Sequence, residues 1–243
     1  MSQLIEASPT TANQILNALT RAEYERLGDH LDPINLSQGE ILCRPDQPIT
    51  HVYFPNHGTV SLVSTFEDGG SVEVGMVGNE GMFGVCVFLG SISTPLLAQV
   101  QLPGDGLRMR ADVLKREFQK GGQLQDILLR YTQAFITQIA QTAACNRAHP
   151  VEGRLVRWLL MCQDRSSSKD LKLTQEFIAT MLGVRRAGIT EAASLLQDAG
   201  LIEYHRGHIT ILDRERLESA SCECYPVVKK EFARLVGGNG HAR

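Results

Sequence analysis

Apolar residues change their spacing along this chain, and the change divides it. Across residues 34–109 they come in short runs, such as His51-Val52-Tyr53-Phe54, Val60-Ser61-Leu62-Val63 and Val72-Glu73-Val74-Gly75-Met76. Turn-forming stretches separate the runs: Gln38-Gly39, Pro55-Asn56-His57-Gly58, Asp68-Gly69-Gly70 and Gly78-Asn79-Glu80-Gly81. Short strands with frequent turns predict an all-β sandwich or roll, and no alternating parallel α/β pattern is present. A helix over residues 11–27 is expected before the first strand. Beyond the strands the spacing shifts to three and four, which predicts a long helix over 124–148. Its stripe is Leu124, Leu128, Tyr131, Phe135 and Ile139, with Ile127, Ala134 and Ala143 beside it. Such a stripe suits packing against a copy of itself; the alternative is that it only covers the β-roll. Pro150 breaks the pattern and marks a hinge. A further helix over 151–163 carries Leu155, Trp158, Leu159 and Met161, and Ser166-Ser167-Ser168-Lys169-Asp170 reads as a loop. Residues 217–235 read as helix; residues 1–12 and Gly237-Gly238-Asn239-Gly240 read as disordered.

The most informative segment is LTQEFIATMLGVRRAGITEAASLLQDAGLI, residues 173–202. Thr174 is a good N-cap, with Gln175 and Glu176 in the first turn. Phe177, Ile178, Met181 and Leu182 recur at helical spacing. Gly183 sits where the chain must reverse, and Val184 plugs the gap between two crossing helices. The second helix, over 185–198, turns Ile189, Ala192, Ala193 and Leu196 inward and ends at Gly200. Its outer face offers Arg185, Arg186, Thr190, Glu191 and Ser194. Arg186 can fork onto guanine O6 and N7, Thr190 can meet a base edge or thymine methyl, and Glu191 can accept from cytosine N4. Arg185, at the helix start, suits a phosphate. Gly188 costs about 1 kcal/mol relative to Ala inside a helix, and permits a close approach. Residues 201–204 and 208–211 suit two short strands joined at His205-Arg206-Gly207, placing His205, Arg206 and His208 near phosphates. Two helices, a tight turn and a hairpin form the arrangement of a winged helix-turn-helix.

Together with the upstream stretch LSQGEILCRPDQPITHVYFPNHGTVSLVSTFEDGGSVEVGMVGNEGMFG, the segments IATMLGVRR and SLLQDAGLIEY resemble the Crp/Fnr family of bacterial transcription regulators. The resemblance covers about residues 20–225. It implies an α+β architecture: a cyclic-nucleotide-binding-like β-roll over 12–122, a dimerisation helix over 123–149 and a winged helix-turn-helix over 150–235. It implies double-stranded DNA, a second copy of the chain and RNA polymerase as partners. It places Arg186 on the arginine that contacts bases. Ala187 and Glu191 depart from the cyclic-AMP receptor pattern, where a glutamate and a second arginine stand, so the operator should differ.

The family holds the nucleotide phosphate with a short helix and an arginine, and the ribose with a glutamate. The corresponding segment here runs from Phe83 and Gly84 to Leu96. Val85 stands about where the glutamate should be and Thr94-Pro95 about where the arginine–serine pair should be, and no arginine occurs between Arg44 and Arg108. A cyclic nucleotide is therefore not expected, and the effector is left unidentified. The family's oxygen-sensing branch uses cysteines near the N-terminus, and no cysteine precedes Cys43.

Composition adds limits. The chain of 243 residues carries a net charge of −3. Residues 1–150 hold ten Lys/Arg against fifteen Asp/Glu, and residues 151–243 hold fourteen against twelve. Steering toward nucleic acid must come from local arginines. The N-terminus lacks a signal-peptide pattern and no apolar run reaches about 18 residues, so a cytoplasmic, non-membrane protein is expected. Cys43, Cys86, Cys145, Cys162, Cys222 and Cys224 are most simply free thiols. The close pair Cys222-Glu223-Cys224 matches no standard zinc spacing and would need partners such as His205 or Cys162 to bind metal. No metal or cofactor is expected, and nothing positive argues for haem. His51, His57 and His149 read as surface or hydrogen-bonded residues. Nucleotide-binding and hydrolase motifs are missing, which argues against an enzyme. The rival to a DNA reader is a ligand-binding module whose helix-turn-helix serves as a protein contact.

Overall fold

The computed structural model describes residues 11–166 and 168–237. Two short helices come first, α1 (Gln14–Asn17) and α2 (Arg21–Gly28), rather than one over 11–27. Thr20 breaks the run by forming a capping box with Glu23. Thr11 and Ala12 bond to the Asn56 side chain, so the expected disorder does not reach them; residues 1–10 lie outside the described residues, as do 238–243.

Seven strands follow: β1 (Asp32–Leu36), β2 (Ile41–Cys43), β3 (His51–Pro55), β4 (Thr59–Thr65), β5 (Ser71–Val77), β6 (Leu97–Leu102) and β7 (Gly104–Arg110). They form two antiparallel sheets, ordered β1-β7-β3 and β2-β6-β4-β5. Val52, Phe54, Val60, Ala98 and Met109 fill the space between them. A helix that the apolar spacing did not reveal, α3 (Ala111–Gln119), closes the roll, and Gly121-Gly122 separates it from α4 (Gln123–Ala148). The buried Glu23 carboxylate accepts from the Leu124 amide and so anchors the start of α4.

After Pro150 come α5 (Val151–Asp164), β8 (Asp170–Lys172), α6 (Gln175–Leu182), α7 (Arg186–Asp198), β9 (Ile202–His205) and β10 (His208–Ile211). The three strands form a third antiparallel sheet, β8-β10-β9, so Asp170 begins a strand rather than ending a loop. The tail is two helices, α8 (Arg214–Ser219), capped by Asp213, and α9 (Cys224–Leu235). Here α9 turns back across the chain to pack along α4, with the Phe232 ring 6.2 Å from Tyr131.

This packing corrects the stripe on α4. Leu124, Leu128, Tyr131 and Phe135 are buried in the chain's own core, and Ile139 packs against it. Tyr131 donates to the Met82 carbonyl at 3.0 Å, and Gln138 spans both backbone groups of Met76. The large apolar residues serve the sheets and α9. The opposite face of α4 is exposed at Leu129, Gln133, Ile136, Ala140 and Ala143.

Candidate nucleic-acid interface and its sensor

Local sequence explains how α7 is set. The Thr174 side chain accepts from the Phe177 amide and starts α6. Gly183, at φ +62°, ends it; the amides of Val184 and Gly183 return to the carbonyls of Ala179 and Thr180. Val184 then leads directly to Arg185, the exposed N-cap of α7. Ile189, Ala192, Ala193 and Leu196 are buried, and Arg186, Thr190, Glu191 and Ser194 are exposed. Thr190 donates to Gln175 at 2.8 Å, locking the two helices across the outer surface.

The wing turn is tighter than the sequence suggested. Arg206 and Gly207 both have positive φ, and His205 pairs with His208, giving a two-residue hairpin. This geometry sorts the candidates. Thr174, Gln175, Glu176, Arg186, Tyr204, Arg206 and Gly207 line one concavity of about 580 Å³. His205 lines a separate one with Asp170, Glu203, Arg206 and His208, and His208 pairs with Asp170 at 2.9 Å. The acidic neighbours oppose the expected role of His205 and His208 beside phosphate. Arg185 faces a cleft between α6 and the β4–β5 hairpin, lined also by Phe66, Gly70 and Gly183. Tyr204, not identified from the sequence, joins the first concavity. Strand alternation carries the signal, since Tyr204 points opposite to Glu203 and His205. Among the described residues, Arg185, Arg186 and Arg206 enter no ion pair and so are free to meet anions.

The β-roll grips this half of the molecule through polar contacts. Trp158 of α5 donates to Glu73 of β5 at 3.0 Å. Ser61 lies between Glu73 and the Gln101 amide oxygen, and Gln101 donates to Cys162 at 2.9 Å. Burial pushes the Glu73 carboxyl up to about 7, against opposing effects of Ser61, Trp158, Arg157 and Arg165. Arg165 pairs with Glu80 at 2.7 Å, both nearly buried.

In the segment expected to meet an effector, Gly84 (φ +109°) precedes a single 3-10 turn, Val85–Val87. Phe83 and Val87 join the core, Val85, Cys86 and Leu96 pack against it, and Phe88 stacks on Phe118 at 4.8 Å. Thr94 is tied to the chain opposite through its carbonyl, which accepts from the Asp46 amide; Pro95 is exposed. Neither lysine nor arginine occurs anywhere in residues 45–107.

The six cysteines are free thiols, and only the partners expected for Cys222 and Cys224 need correction. Cys162 is committed to Gln101, and His205 sits on the wing. The residues that meet Cys222 and Cys224 are instead Cys145 and His149, from the end of α4.

Comparison with known proteins agrees with this architecture. The cyclic nucleotide-binding domain family matches residues 33–120, and the Crp-like helix-turn-helix domain family matches residues 153–220. The global nitrogen regulator of Synechococcus elongatus is 24% identical over 202 residues, which is 78% of this chain and 91% of that protein. The global nitrogen regulator of a Nostoc species is 26% identical over 176 residues, covering 69% and 79%. Among solved structures, a transcriptional regulator of the Crp/Fnr family from Eubacterium rectale aligns with a TM-score of 0.66 and 21% identity, over 85% of this chain and 96% of that one. FixK2 from Bradyrhizobium japonicum aligns with a TM-score of 0.67 and 17% identity, over 79% and 98%. These structural likenesses concern the fold. Among the described residues, no helix is long and apolar enough to cross a membrane.

Proposed function

Since the chain belongs to the Crp/Fnr family of DNA-binding transcription regulators, we propose that it acts as a homodimer on a near-palindromic operator. Each copy inserts α7 into one major groove. The observation that carries this reading is the concavity of Thr174, Gln175, Arg186, Tyr204 and Arg206, with cations free of ion pairs. Arg186 reads a base, Thr190, Glu191 and Ser194 lie along the same face, and Arg185 and Arg206 hold phosphates. Thr174 and Gln175 bring the start of α6 to the backbone. The second copy packs on the exposed face of α4. RNA polymerase is the protein partner that this mode of action requires.

The sensor works without a cyclic nucleotide. A phosphate in the 83–96 segment would lack a cation from residues 45–107, and apolar side chains occupy much of the segment. A change in the β-roll would instead alter the balance between DNA-competent and incompetent dimers.

The test is selection of bound genomic fragments by the purified protein, with and without cyclic AMP. A two-fold motif recovered equally in both is expected; a motif that needs the nucleotide refutes the sensor reading. On the recovered operator, Arg186→Ala should lose about 1–3 kcal/mol of affinity and relax specificity at one base position. Arg185→Ala should weaken all sequences alike and lower the salt slope by about one. Absence of salt-dependent DNA binding would favour a protein-contact role for the helix-turn-helix.

A further inference from the structure

The last turn of α4 and the first residues of α9 converge on one point. Cys145 lies in the last turn of α4, and His149 follows as its C-cap, with its amide donating to the Cys145 carbonyl. Cys222 and Cys224 arrive from the segment that opens α9. The four potential ligand atoms all lie within 4.8 Å of one another. Cys145 Sγ is 3.7 Å from Cys222 Sγ, and Cys224 Sγ is 3.6 Å from His149 Nδ1.

These separations have a geometric meaning. Zinc–sulfur and zinc–nitrogen bonds in a tetrahedron imply edges of about 3.8 Å between sulfurs and about 3.6 Å between sulfur and nitrogen. These two distances match such edges, and the other pairs of ligand atoms lie within 4.8 Å. Iron–sulfur clusters distribute their ligands over separate irons and need a wider cage. A disulfide needs its sulfurs at about 2.05 Å, and all six cysteines are free.

The surroundings complete the site. His149 Nε2 is 3.3 Å from the Glu223 carboxylate, so Nδ1 is left to face the thiols. A carboxylate behind the histidine is the usual outer support of a zinc-bound imidazole. Gln141 donates to Cys224 Sγ at 3.1 Å. Three thiolates around a divalent ion carry a net charge of −1. Arg157, only 2% exposed and in no ion pair among the described residues, lies close enough to act on Cys145. Its Nε has no hydrogen-bond partner. Arg157 also acts on the Glu73 carboxyl, and an anionic metal centre beside Cys145 would supply this buried cation with further counter-charge.

We propose that Cys145, His149, Cys222 and Cys224 bind one zinc ion in a closed Cys3His site. Binding releases three thiol protons to solvent and leaves no open position for catalysis. The ion joins residues 145 and 222, which are 77 positions apart in sequence. Everything that reads DNA, from α5 to the wing, lies inside that loop. The site therefore clasps α9 to α4 across the Pro150 hinge, and removing the ion loosens one of the attachments that hold the DNA-binding half against the β-roll.

The experiment uses full-length protein purified in reductant without chelator. Metal analysis should find one zinc per chain. Replacement by cobalt should give the visible bands of a tetrahedral ion and thiolate charge transfer in the near ultraviolet. Cys222→Ser and His149→Ala should each weaken binding by at least tenfold, and Glu223→Gln by about tenfold. Cys86→Ser, far from the site, should leave the spectrum unchanged. For variants that fail to fold, the native chain supplies a second readout. Bound zinc should shield Cys145, Cys222 and Cys224 from alkylation, and a chelator should expose them. Substoichiometric zinc with no tetrahedral cobalt spectrum overturns the site. So do a spectrum unaltered in folded ligand variants, iron–sulfur absorption in anaerobically prepared protein, or a Cys145–Cys222 disulfide in place of metal. All of these are read without DNA, so they stand or fall apart from operator binding.

Discussion

Glu73 is the residue at which protonation and domain docking meet. The residue is 7% exposed, and its carboxyl is held between Trp158 of α5 and Ser61 of β4. Ser61 contacts both Glu73 and the Gln101 amide oxygen, and one hydroxyl hydrogen cannot serve two acceptors. A proton on Glu73 resolves the conflict: the carboxyl donates to Ser61, which donates to Gln101. Burial is the main cause of the rise from an ordinary 4.5 to about 7, and the positive charges of Arg157 and Arg165 only moderate it. The sign follows from the folded state binding the extra proton. The stabilisation is fully present below the unfolded value of 4.5 and is lost as pH rises through about 7. The shift corresponds to at most ~3 kcal/mol. Trp158, the only tryptophan, reports on this directly. Its fluorescence should titrate with a midpoint near 7, and Glu73→Gln should abolish the transition and flatten stability between pH 5 and 8. A transition that persists in the variant would assign it to another group.

The element that best shows the reach and the limit of sequence reading is α4. Its existence, its length and its break at Pro150 follow from spacing and proline chemistry alone. The helix-turn-helix was legible for the same reason, since Thr174, Gly183 and Gly200 perform local tasks. Partner choice was not legible. Both faces of α4 repeat at three and four residues, and periodicity does not say which layer each face meets. The larger side chains, Leu124 through Ile139, went to the sheets and to α9. The return of α9 across α4 depends on the whole intervening fold, and that return also brings Cys145 to Cys222. The exposed face, with Leu129 47% and Ile136 55% accessible, carries the small residues Ala140 and Ala143 in the same register. Spacing of this kind suits a close two-helix seam. Ile136→Glu would place like charges against each other across a two-fold axis. The variant should be monomeric by light scattering with unchanged circular dichroism. A dimer that survives replacement of both Leu129 and Ile136 would place the interface elsewhere.

At the scale of the whole molecule, the question is what fixes α6 and α7 relative to the β-roll. The attachments include α6 against β5, α9 along α4, the Trp158–Glu73 and Gln101–Cys162 contacts of α5, and the Arg165–Glu80 pair between α5 and the turn after β5. The turn is shaped for its contact, because a Cβ on Gly78 would collide with the Arg165 side chain. Arg165 also donates to the Met161 carbonyl, and its own carbonyl accepts from the Gly58 amide. The pair is 6% and 9% exposed, so its value lies less in net attraction than in the cost of separation. Moving the DNA-binding half away would pull opposite charges apart inside a poorly solvated seam. Arg165→Met strands Glu80 and should cost about 3–5 kcal/mol in urea unfolding. Arg165→Met with Glu80→Met removes both charges and should recover most of that loss. Recovery of stability without recovery of wild-type operator affinity would show that the pair sets orientation. A single variant as stable as the native chain would mean that water already reaches the pair, and that the two halves are held by the packing of α9 and α6 and the α5 contacts of Trp158 and Cys162.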